Sequence, residues 1–584
     1  MSNNEQLSNK RHSLAHLLAS AVLEQFPDTK LGIGPVIDNG FYYDFVFSKP
    51  LTPEDLPKLE KRMAELAASN LNFERQEISS DDAKKFFEDE QQNFKVELIN
   101  ELETAGEALT LYKTGDFVDL CRGGHVENTS EIAQGSFKLD KLAGAYWRGD
   151  EKNPMMTRIY GLAFETADEL AAYEAQMLEA EKRDHKKLGP ALDLFVFSDL
   201  VGPGLPLWTP KGTMVRNLLD DFVWTLRKNH GYEKVEIPHI TKKELYEKSG
   251  HWDKFKDELF RITTREGHEF AMKPMNCPHH AQIYNRKRWS YRELPQRYAN
   301  TTTCYRDEQS GELAGLSRVR AFSQDDAHVF CRMDQAKDEF LKIWDIVQNF
   351  YKAFNFELTV RLSMRDPEKP DNYLGDPAQW EKAQNLLKEI ASENKIETFE
   401  GIGEAAFYGP KLDFMAKDSI GRQWQVATIQ FDFNQPERFD LFCINDSGEQ
   451  ERIIMIHAAI MGSIERFMSI LIEHTAGQFP TWLAPVQAVV VPVSEKQNEY
   501  AESVIEQLKE KIPAIRIISD TRSESMGKRI RENATQKVPY ILVVGDKEIE
   551  AKSVSVRGRN DEDLGAMTVT DFIQRIKDEV VTKA

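Results

Sequence analysis

The sequence has few cysteines, no excess of positive charge and no long apolar run. Its five cysteines among 584 residues are scattered and form no CxxC pair, which argues against a disulfide framework and favours the cytosol. No stretch of about 18 apolar residues occurs, and the polar start lacks the apolar core of a signal peptide. The net charge of −20 argues against a protein that coats nucleic acid by charge alone, but leaves room for local basic patches.

The chain is long enough for several hydrophobic cores, and we expect about three or four domains. A helix is predicted from near Lys10, then a strand pair with its turn at Asn39–Gly40, and the charged segment Glu165–Gly189 predicts a single helical linker. The last hundred residues alternate strand and helix in a β-α-β-α-β series, which is typical of a small α/β domain. The expected domains are 1–164, 165–189, 190–484 and 485–584.

The most informative local pattern runs from Thr303 to Phe322. Arg306 and Glu308 are two positions apart, so on a strand both side chains point to one face. A loop then leads to Arg318 and a second strand-like run. An arginine suits a phosphate because its planar guanidinium donates two charge-assisted hydrogen bonds. Alone, Arg-x-Glu is more often an ordinary salt bridge.

The arginine pattern stands between two others in a fixed order. A long helix, a turn at Gly231 and a strand closed by Pro238 come before it, and Gly462-x-x-Glu465-Arg466 opens an apolar helix after it. In this order the three patterns resemble motifs 1, 2 and 3 of class II aminoacyl-tRNA synthetases. The resemblance implies an α+β multidomain protein with an antiparallel sheet flanked by helices, and a homodimer formed through motif 1.

The same resemblance assigns an ATP site. Arg306 would hold the α-phosphate, Arg466 would hold the γ-phosphate and stack on adenine, Glu308 would accept from the adenine amine, and Arg318 would contact a further phosphate. Such a site works by positioning and charge stabilisation rather than by covalent catalysis. Mg²⁺ normally accompanies ATP.

A second set of residues predicts a metal site. Cys277, His328 and His457 lie far apart in the sequence, and each alone is weak evidence, since a buried cysteine packs as a small hydrophobe and a lone histidine is usually structural. Their contexts, KPMNCP, QDDAH and MIH, resemble those of the zinc ligands in threonyl-tRNA synthetases. Three protein ligands would leave an open zinc position, which is the arrangement of a substrate-binding site.

An open zinc position explains how threonine would be selected over valine. The two side chains are nearly isosteric, and only a site that binds the amine and the β-hydroxyl makes the hydroxyl obligatory. The resemblance places Gln324 and Asp326 at the substrate amine and gives His251 a role in aminoacyl transfer. The remaining threonine and ATP pocket positions would be Tyr408, Lys411, Gln425 and Gln430.

Serine poses the opposite problem, because it lacks only a methyl group, worth about 1–3 kcal/mol. A second, hydrolytic site is therefore expected. His12-x-x-x-His16 and Cys121-x-x-x-His125 have the residue types of a metal site, although HxxxH alone also arises by chance. Together with two further residues they resemble the editing domain shared with alanyl-tRNA synthetases, which would hydrolyse Ser-tRNA; those two are Lys95 and Asp119. The sequence leaves open whether this site binds a metal.

The C-terminal segment resembles the class IIa anticodon-binding domain. Glu548 and Arg557 match positions that read anticodon bases, while the alternative is a solvated charged turn and strand. Many family members carry a small TGS domain before the editing domain, and we expect it to be absent from this chain. Four local departures from the family pattern are Ala321, Val426, Ala458 and His279, the last of which could compete for the metal.

Two other functions compete with this interpretation. A synthetase-like protein that binds RNA for regulation should lose its ATP arginines or zinc ligands first, and all of them are present. A different class IIa enzyme, such as a prolyl-tRNA synthetase, is disfavoured by the zinc residues and the editing pattern. A metallopeptidase is excluded because no HExxH motif occurs.

Overall fold

Helices and strands follow one another along the whole chain in the computed structural model, which describes residues 3–560 and 562–583. The chain divides into two compact units, 1–179 and 180–584. The first unit contains the helices α1 (Asn3–Gln25), α2 (Leu56–Ala67), α3 (Ser80–Asp89), α4 (Asn93–Thr104) and most of α5 (Ala167–Arg183), and the strands β1 (Lys30–Leu31), β2 (Val36–Ile37), β3 (Gly40–Val46), β4 (Glu74–Glu77), β5 (Thr110–Thr114), β6 (Phe117–Leu120), β7 (Phe137–Tyr146) and β8 (Met155–Ala163).

Two sheets organise the first unit. One has the order β1-β3-β8-β7, with β2 on β3, and its buried face packs against α1 and α2 through side chains such as Leu14, Leu18 and Phe41. The other, β4-β5-β6, packs with α3 and α4 around Phe87 and Ile99. Helix α1 carries the HxxxH pair, and the CxxxH segment follows β6 directly.

The second unit begins with a large sheet and its helices. The helices are α6 (His185–Ala191), α7 (Pro210–Asn229), α8 (Lys243–Ser249), α9 (His251–Lys254), α10 (Cys277–Tyr284), α11 (Ala336–Lys352), α12 (Pro377–Glu393), α13 (Asn434–Arg438) and α14 (Ile464–Thr475). The strands are β9 (Phe195–Val196), β10 (Leu207–Trp208), β11 (Glu233–Lys234), β12 (Ile240–Lys242), β13 (Arg261–Thr263), β14 (Glu269–Met272), β15 (Trp289–Ser290), β16 (Gln296–Tyr305), β17 (Ala321–Cys331), β18 (Glu357–Met364), β19 (Thr398–Ile402), β20 (Lys411–Lys417), β21 (Gln423–Asp432), β22 (Phe442–Ile444), β23 (Gln450–Arg452) and β24 (Ile454–Ser463).

The large sheet has eight strands in the order β11-β16-β17-β24-β21-β20-β18-β19. Its six central strands are antiparallel, and only the two edge pairs are parallel. One face buries a core with α7, α11 and α14, in which Phe340, Ile343 and Phe467 are almost fully enclosed. The predicted antiparallel sheet with flanking helices is therefore present.

The C-terminal part of the second unit is a smaller α/β layer. Its elements are β25 (Ala488–Pro492), α15 (Asn498–Lys511), β26 (Ile517–Ser519), α16 (Met526–Thr535), β27 (Tyr540–Val544), α17 (Asp546–Ala551), β28 (Ser553–Arg557), β29 (Asp563–Thr568) and α18 (Val569–Thr582). Strands β26, β25 and β27 are parallel, and β28 and β29 add antiparallel strands at one edge. The predicted β-α-β-α-β series is confirmed.

Three local expectations are wrong. The segment Glu165–Gly189 forms two helices instead of one, because the Asp184 side chain accepts the N–H of Lys186 and caps a new helix. The first hairpin turns at residues 38–39, since Ile37 pairs with Gly40 and this glycine already belongs to β3. Strand β16 ends before Arg306, so the arginine and Glu308 lie in an irregular segment rather than on one strand face.

In the part of the chain that the structure describes, no helix combines the length and the apolar character needed to cross a membrane.

Candidate active site and a second histidine cluster

A cavity of about 670 Å³ opens in the large sheet between β17, β21 and β24 and the loop that follows β16. It brings together residues from motifs 2 and 3 and from the strands between them. The predicted site residues that line it are Arg306, Glu308, Arg318, Gln324, Asp326, Tyr408, Lys411, Gln425, Gln430, His457 and Arg466.

The two predicted phosphate arginines both face this cavity. The guanidinium of Arg306 lies 5.3 Å from the ring centres of Phe255 and Phe322, and its buried Nε has no partner among residues 3–560 and 562–583. Arg466 is in the first turn of α14 and keeps an exposed side chain. A cavity with two such arginines is suited to a polyanionic ligand.

Two further residues predicted to bind the nucleotide, Arg318 and Glu308, form an ion pair. Arg318 donates from Nε and Nη2 to Glu308 Oε2, at 2.8 and 2.7 Å. Arg320 donates to the backbone oxygen of Glu308 at 2.9 Å, which fixes the irregular segment after β16. This pairing places a carboxylate and a guanidinium side by side on the cavity wall.

A buried carboxylate that the sequence did not single out organises the opposite wall. Asp413 is fully enclosed on β20 and accepts from Lys411 Nζ at 2.9 Å, from Gln425 Nε2 at 2.8 Å and from Thr428 Oγ1 at 2.7 Å. Asp413 and Lys411 are two positions apart on one strand and therefore share a face. That spacing was the signal available in the sequence.

Strand β17 has a bulge where the predicted substrate residues lie. Its register against β24 shifts between Asp325 and Ala327. Asp325 points into the core and pairs with Arg227 of α7 at 2.5 Å, while its Oδ2 accepts the backbone N–H groups of Ile460 and Met461. Asp326 faces the cavity and accepts from Asn276 Nδ2 at 3.0 Å.

The three predicted metal ligands converge at one end of the cavity. Candidate ligand atoms of Cys277, His328 and His457 all lie within 4.8 Å of one another, and all three residues are buried. His328 Nε2 and His457 Nδ1 are 3.0 Å apart. His457 reaches the cavity wall, whereas His328 and Cys277 lie behind it.

Neighbouring side chains set the tautomers of both histidines. His457 Nε2 donates to Asp432 Oδ2 at 2.8 Å, which leaves Nδ1 with a lone pair. His280 Nε2 donates a hydrogen bond to Asn300 Oδ1, so His280 Nδ1 is an acceptor. It accepts a hydrogen bond from His328 Nδ1 at 2.8 Å, which leaves His328 Nε2 with a lone pair. Two lone pairs 3.0 Å apart repel each other, and a cation bound to both nitrogens would remove that repulsion.

The third ligand points to the same conclusion. Burial raises the pKa of the Cys277 thiol well above its ordinary value, so a thiolate there needs an adjacent cation. Two imidazoles and one thiolate with outer hydrogen bonds to a carboxylate and another histidine are a donor set that fits zinc. Asp432 and His280 were not predicted from the sequence.

Two further histidines lie outside the ligand cluster. His251, predicted to assist transfer, is fully buried, with Nε2 3.7 Å from Cys277 Sγ and Nδ1 2.8 Å from Ser249 Oγ. Burial lowers its pKa to about 3, and it does not line the cavity. His279 is buried, and neither of its nitrogens has a partner among the residues that the structure describes.

The N-terminal residues form a separate cluster within the first unit. Candidate ligand atoms of His12, His16, Cys121 and His125 lie within 4.8 Å of one another. The sulfur of Cys121 is 3.1 Å from His125 Nε2 and 3.5 Å from His12 Nε2. Four of the six predicted editing residues thus come together from α1 and from the segment after β6.

A buried ion pair lies beside this cluster. Lys95 Nζ is 2.6 Å from Asp119 Oδ1, and Tyr43 donates to Asp119 Oδ2 at 2.6 Å. The same carboxylate is 4.0 Å from His16 Nε2, too far for a hydrogen bond. Asp119 is therefore held by Lys95 and Tyr43 and does not orient a histidine, unlike Asp432 in the other cluster.

Burial keeps the histidines of this cluster neutral. It lowers the pKa of His12 and of His125 and puts that of His16 well below its ordinary value. Burial also raises the pKa of the Cys121 thiol to about 11. The cluster therefore offers neutral imidazoles and a thiol, and a neutral imidazole can accept a proton from water.

The two predicted anticodon residues lie in the C-terminal layer. Glu548 is in the first turn of α17, and its carboxylate accepts the N–H of Gly545 at 2.9 Å. Arg557 is at the end of β28 with an exposed side chain. The structure thus ties Glu548 to a helix start and leaves Arg557 facing solvent.

The antiparallel sheet and its arginine-lined cavity define a class II aminoacyl-tRNA synthetase. The family model of the tRNA synthetase class II core domain (G, H, P, S and T) matches residues 260–475, and the anticodon binding domain matches 487–579. The second additional domain of threonyl and alanyl tRNA synthetases matches 109–160. The chain belongs to the threonine–tRNA ligase family, which confirms the predicted family, fold class and enzyme class.

Relatives with this name match almost the full chain. The threonine–tRNA ligase of Cytophaga hutchinsonii is 47% identical over 97% of this chain and 88% of its own length. That of Gloeobacter violaceus is 46% identical over 99% and 93%. The solved RNA binding domain of threonyl-tRNA synthetase from Cryptosporidium parvum superimposes with a TM-score of 0.64 at 36% identity, covering 68% of this chain and 98% of that chain. A prolyl-tRNA synthetase from Giardia lamblia, at 16% identity and a TM-score of 0.55, shares the fold over 70% of this chain and 80% of its own.

Proposed function

We propose that this chain activates L-threonine with ATP to threonyl-adenylate and transfers it to tRNA(Thr). The observation that carries the proposal is one cavity in which the motif 2 and motif 3 arginines, Arg306 and Arg466, face the Cys/His/His cluster. A triphosphate and a small amino acid would meet between these two ends. The relatives' name supports the same reaction.

The residues of the cavity would act mainly by positioning. Arg306 would hold the α-phosphate and neutralise the charge that builds as the threonine carboxylate attacks it. Arg466 would hold the γ-phosphate, and Arg318, released from Glu308, a further phosphate. Lys411 and Gln425 reach the cavity from Asp413, which fixes their positions. Mg²⁺ would enter with ATP.

Asp326 and Gln324 would bind the substrate amine, and Tyr408 and Gln430 would complete the threonine pocket. Zinc held by Cys277, His328 and His457 would supply a Lewis-acid position for the amine and the β-hydroxyl. His251 would assist aminoacyl transfer from its buried position behind Cys277.

The N-terminal cluster would hydrolyse Ser-tRNA made in error. His12, His16, Cys121 and His125 surround one small space, and their neutral imidazoles are suited to accept a proton from water. The pair of Lys95 and Asp119 would hold the adjoining wall. The match to the second additional domain of threonyl and alanyl tRNA synthetases supports this assignment.

We further propose the domain order 1–164 for editing, 165–189 as linker, 190–484 for catalysis and 485–584 for anticodon binding. Glu548 and Arg557 would contact anticodon bases. A homodimer is supported by exposed apolar side chains beside motif 1, where Leu200 is fully exposed and Phe197 is 42% exposed. Five unpaired cysteines fit a cytoplasmic location.

The direct test is ATP–pyrophosphate exchange across a panel of amino acids. We expect exchange with threonine, weaker exchange with serine and almost none with valine. Exchange with proline alone, or RNA binding without any exchange, would overturn the proposal in favour of one of its two competitors.

The editing assignment is tested with the double variant His12→Ala/His16→Ala. We expect near-normal threonine charging together with slow deacylation of preformed Ser-tRNA. A variant that clears Ser-tRNA as fast as the parent would show that this cluster is not the editing site, and loss of threonine charging would contradict the division into two sites.

A further inference from the structure

A buried histidine outside both clusters lies between two carboxylates and a backbone amide. His185 Nδ1 is 2.6 Å from Glu473 Oε1, and its Nε2 is 3.0 Å from the backbone nitrogen of Leu316. An amide N–H can only donate, so Nε2 carries the lone pair and Nδ1 carries the proton that Glu473 accepts. Neighbouring Asp184 caps helix α6 and is 3.8 Å from the ring.

These side chains have the residue types of a metal site, but their atoms are already engaged. Glu473 Oε2 accepts from Arg422 Nη2 at 2.6 Å, and Oε1 also accepts the backbone N–H of His185. The carboxylate charge is thus balanced by Arg422, and both imidazole nitrogens are in hydrogen bonds. The group is a hydrogen-bonded support that contacts the loop through the amide of Leu316.

That amide belongs to the loop that carries the predicted ATP residues. Leu316 is fully buried, and the next three residues, Ser317, Arg318 and Val319, line the cavity. The loop backbone packs against the imidazole of His185. Gly315 has φ +54, and a Cβ at that position would lie 2.3 Å from His185 Nε2. A glycine is therefore required where the loop meets the histidine.

A second anchor holds the other side of the turn. Ser317 Oγ and Ser469 Oγ are 2.8 Å apart, and Ser469 is on the same helix, α14, as Arg466 and Glu473. Helix α14 thus fixes the loop in two ways, directly through Ser469 and indirectly through Glu473 and His185. Arg318 directly follows Leu316 and Ser317, the two residues through which the loop is held.

We propose that His185 is a positioning residue for the nucleotide, since it holds the loop that presents Arg318 to ATP; this rests on the proposed function. Without the acceptor on Nε2, the buried Leu316 N–H is left unsatisfied and the loop conformation is disfavoured. The cost falls on ATP binding rather than on threonine binding, because the proposed threonine residues lie on β17, on β21 and, for Tyr408, in the segment before β20, and none of them is on this loop.

A matched pair of substitutions separates the two nitrogens. The amide of His185→Gln can reach the position of Nε2 and accept from Leu316. The shorter His185→Asn reaches only the position of Nδ1 and can donate to Glu473. Lys187→Gln changes an exposed side chain on the same helix and is the control.

The experiment measures ATP–pyrophosphate exchange at saturating threonine with varied ATP, and at saturating ATP with varied threonine, in the full chain. For His185→Asn we expect the KM for ATP to rise on the order of tenfold, with an unchanged KM for threonine, while His185→Gln and Lys187→Gln stay near the parent. KM does not depend on the fraction of folded enzyme, so partial misfolding does not mimic this result.

Two results would overturn the inference. One is a His185→Asn variant with the parent's KM for ATP, whatever its kcat, and the other is an equal rise of both KM values. Absence of threonine-dependent exchange in the parent would instead contradict the proposed function, so the two failures are distinguishable.

Discussion

The two Cys/His clusters use the same residue types in different surroundings. In the second unit, Asp432 accepts a hydrogen bond from His457, and His280 accepts one from His328. The free lone pairs of His457 and His328 converge beside Cys277. In the first unit the neighbouring carboxylate, Asp119, is bound by Lys95 and Tyr43 and forms no hydrogen bond with the histidines of the cluster.

The difference shows that residue type alone does not define a metal site. Outer hydrogen bonds fix the tautomer of a ligand and raise its basicity. In the cluster around Cys277 they reach both histidines, whereas in the cluster around Cys121 only a serine hydroxyl, that of Ser13, lies 3.2 Å from His125 Nδ1, and His16 Nδ1 has no partner among the described residues. The cluster around Cys121 instead holds neutral imidazoles close to a thiol of raised pKa. We therefore expect tight zinc binding in the former and water-dependent hydrolysis in the latter.

The largest effect is expected from a change that affects one region only. Arg306→Ala should lower threonine-dependent pyrophosphate exchange by roughly a thousandfold or more, by analogy with other arginines that stabilise phosphoryl charge. Deacylation of Ser-tRNA should stay at the parent rate, since Arg306 is in the second unit. Arg292→Ala, at an exposed arginine, is the control. Normal exchange by folded Arg306→Ala would contradict the ATP assignment.

The conservative substitution Asp432→Asn should change the tautomer of the metal ligand His457. Asp432 Oδ1 accepts two backbone N–H groups, so in Asp432→Asn the amide nitrogen would face His457 Nε2. His457 would then carry its proton on Nδ1, toward the metal position. We expect zinc affinity to fall by about 10–100-fold, measured by competition with a chelator.

Asp446→Asn, at an exposed carboxylate, is the matched control for this change and should keep zinc as the parent does. Unchanged zinc retention in Asp432→Asn would show that the outer carboxylate does not set the ligand's tautomer.

The corresponding change in the first unit should act on hydrolysis alone. Asp119→Asn removes the charge that Lys95 pairs with, although the amide can still accept one hydrogen bond. Deacylation of Ser-tRNA should slow roughly tenfold, with zinc content and threonine exchange unchanged. Asp116→Asn, on the exposed turn between β5 and β6, is the control. Loss of zinc from Asp119→Asn would contradict the separation of the clusters.

The smallest expected effect is a pH dependence of the stability of the first unit. Burial lowers the folded-state pKa of His12, His16 and His125, so below about pH 6.5 the unfolded state binds more protons than the folded state. Stability is then lost as pH falls, by up to about 1.4 kcal/mol per histidine and pH unit. Amide exchange in α1, corrected for intrinsic rates, should be faster at pH 5.5 than at 7.5. Equal protection at both values would contradict the burial argument.

The sequence predicted residues that act through local patterns and missed residues that act through distant contacts. Cys277, Arg306 and the two HxxxH-type pairs stand in short motifs that can be found by inspection. Asp432, Asp413 and His185 carry no motif, because their importance depends on hydrogen bonds to residues from other elements.

Local backbone geometry was the other limit. The helix start at Asp184 and the end of β16 before Arg306 were not predicted, since both depend on side-chain hydrogen bonds and strand pairing formed in the folded chain. The roles assigned to individual site residues stay predictions until variants are measured.

The cluster around Cys277 should hold zinc permanently, and the cluster around Cys121 should not be needed for it. Elemental analysis of the purified full chain and two variants tests this directly. We expect about one zinc per chain in the parent and in His12→Ala/His16→Ala, and almost none in Cys277→Ala. Zinc that persists in Cys277→Ala but is lost from the N-terminal double variant would contradict the account.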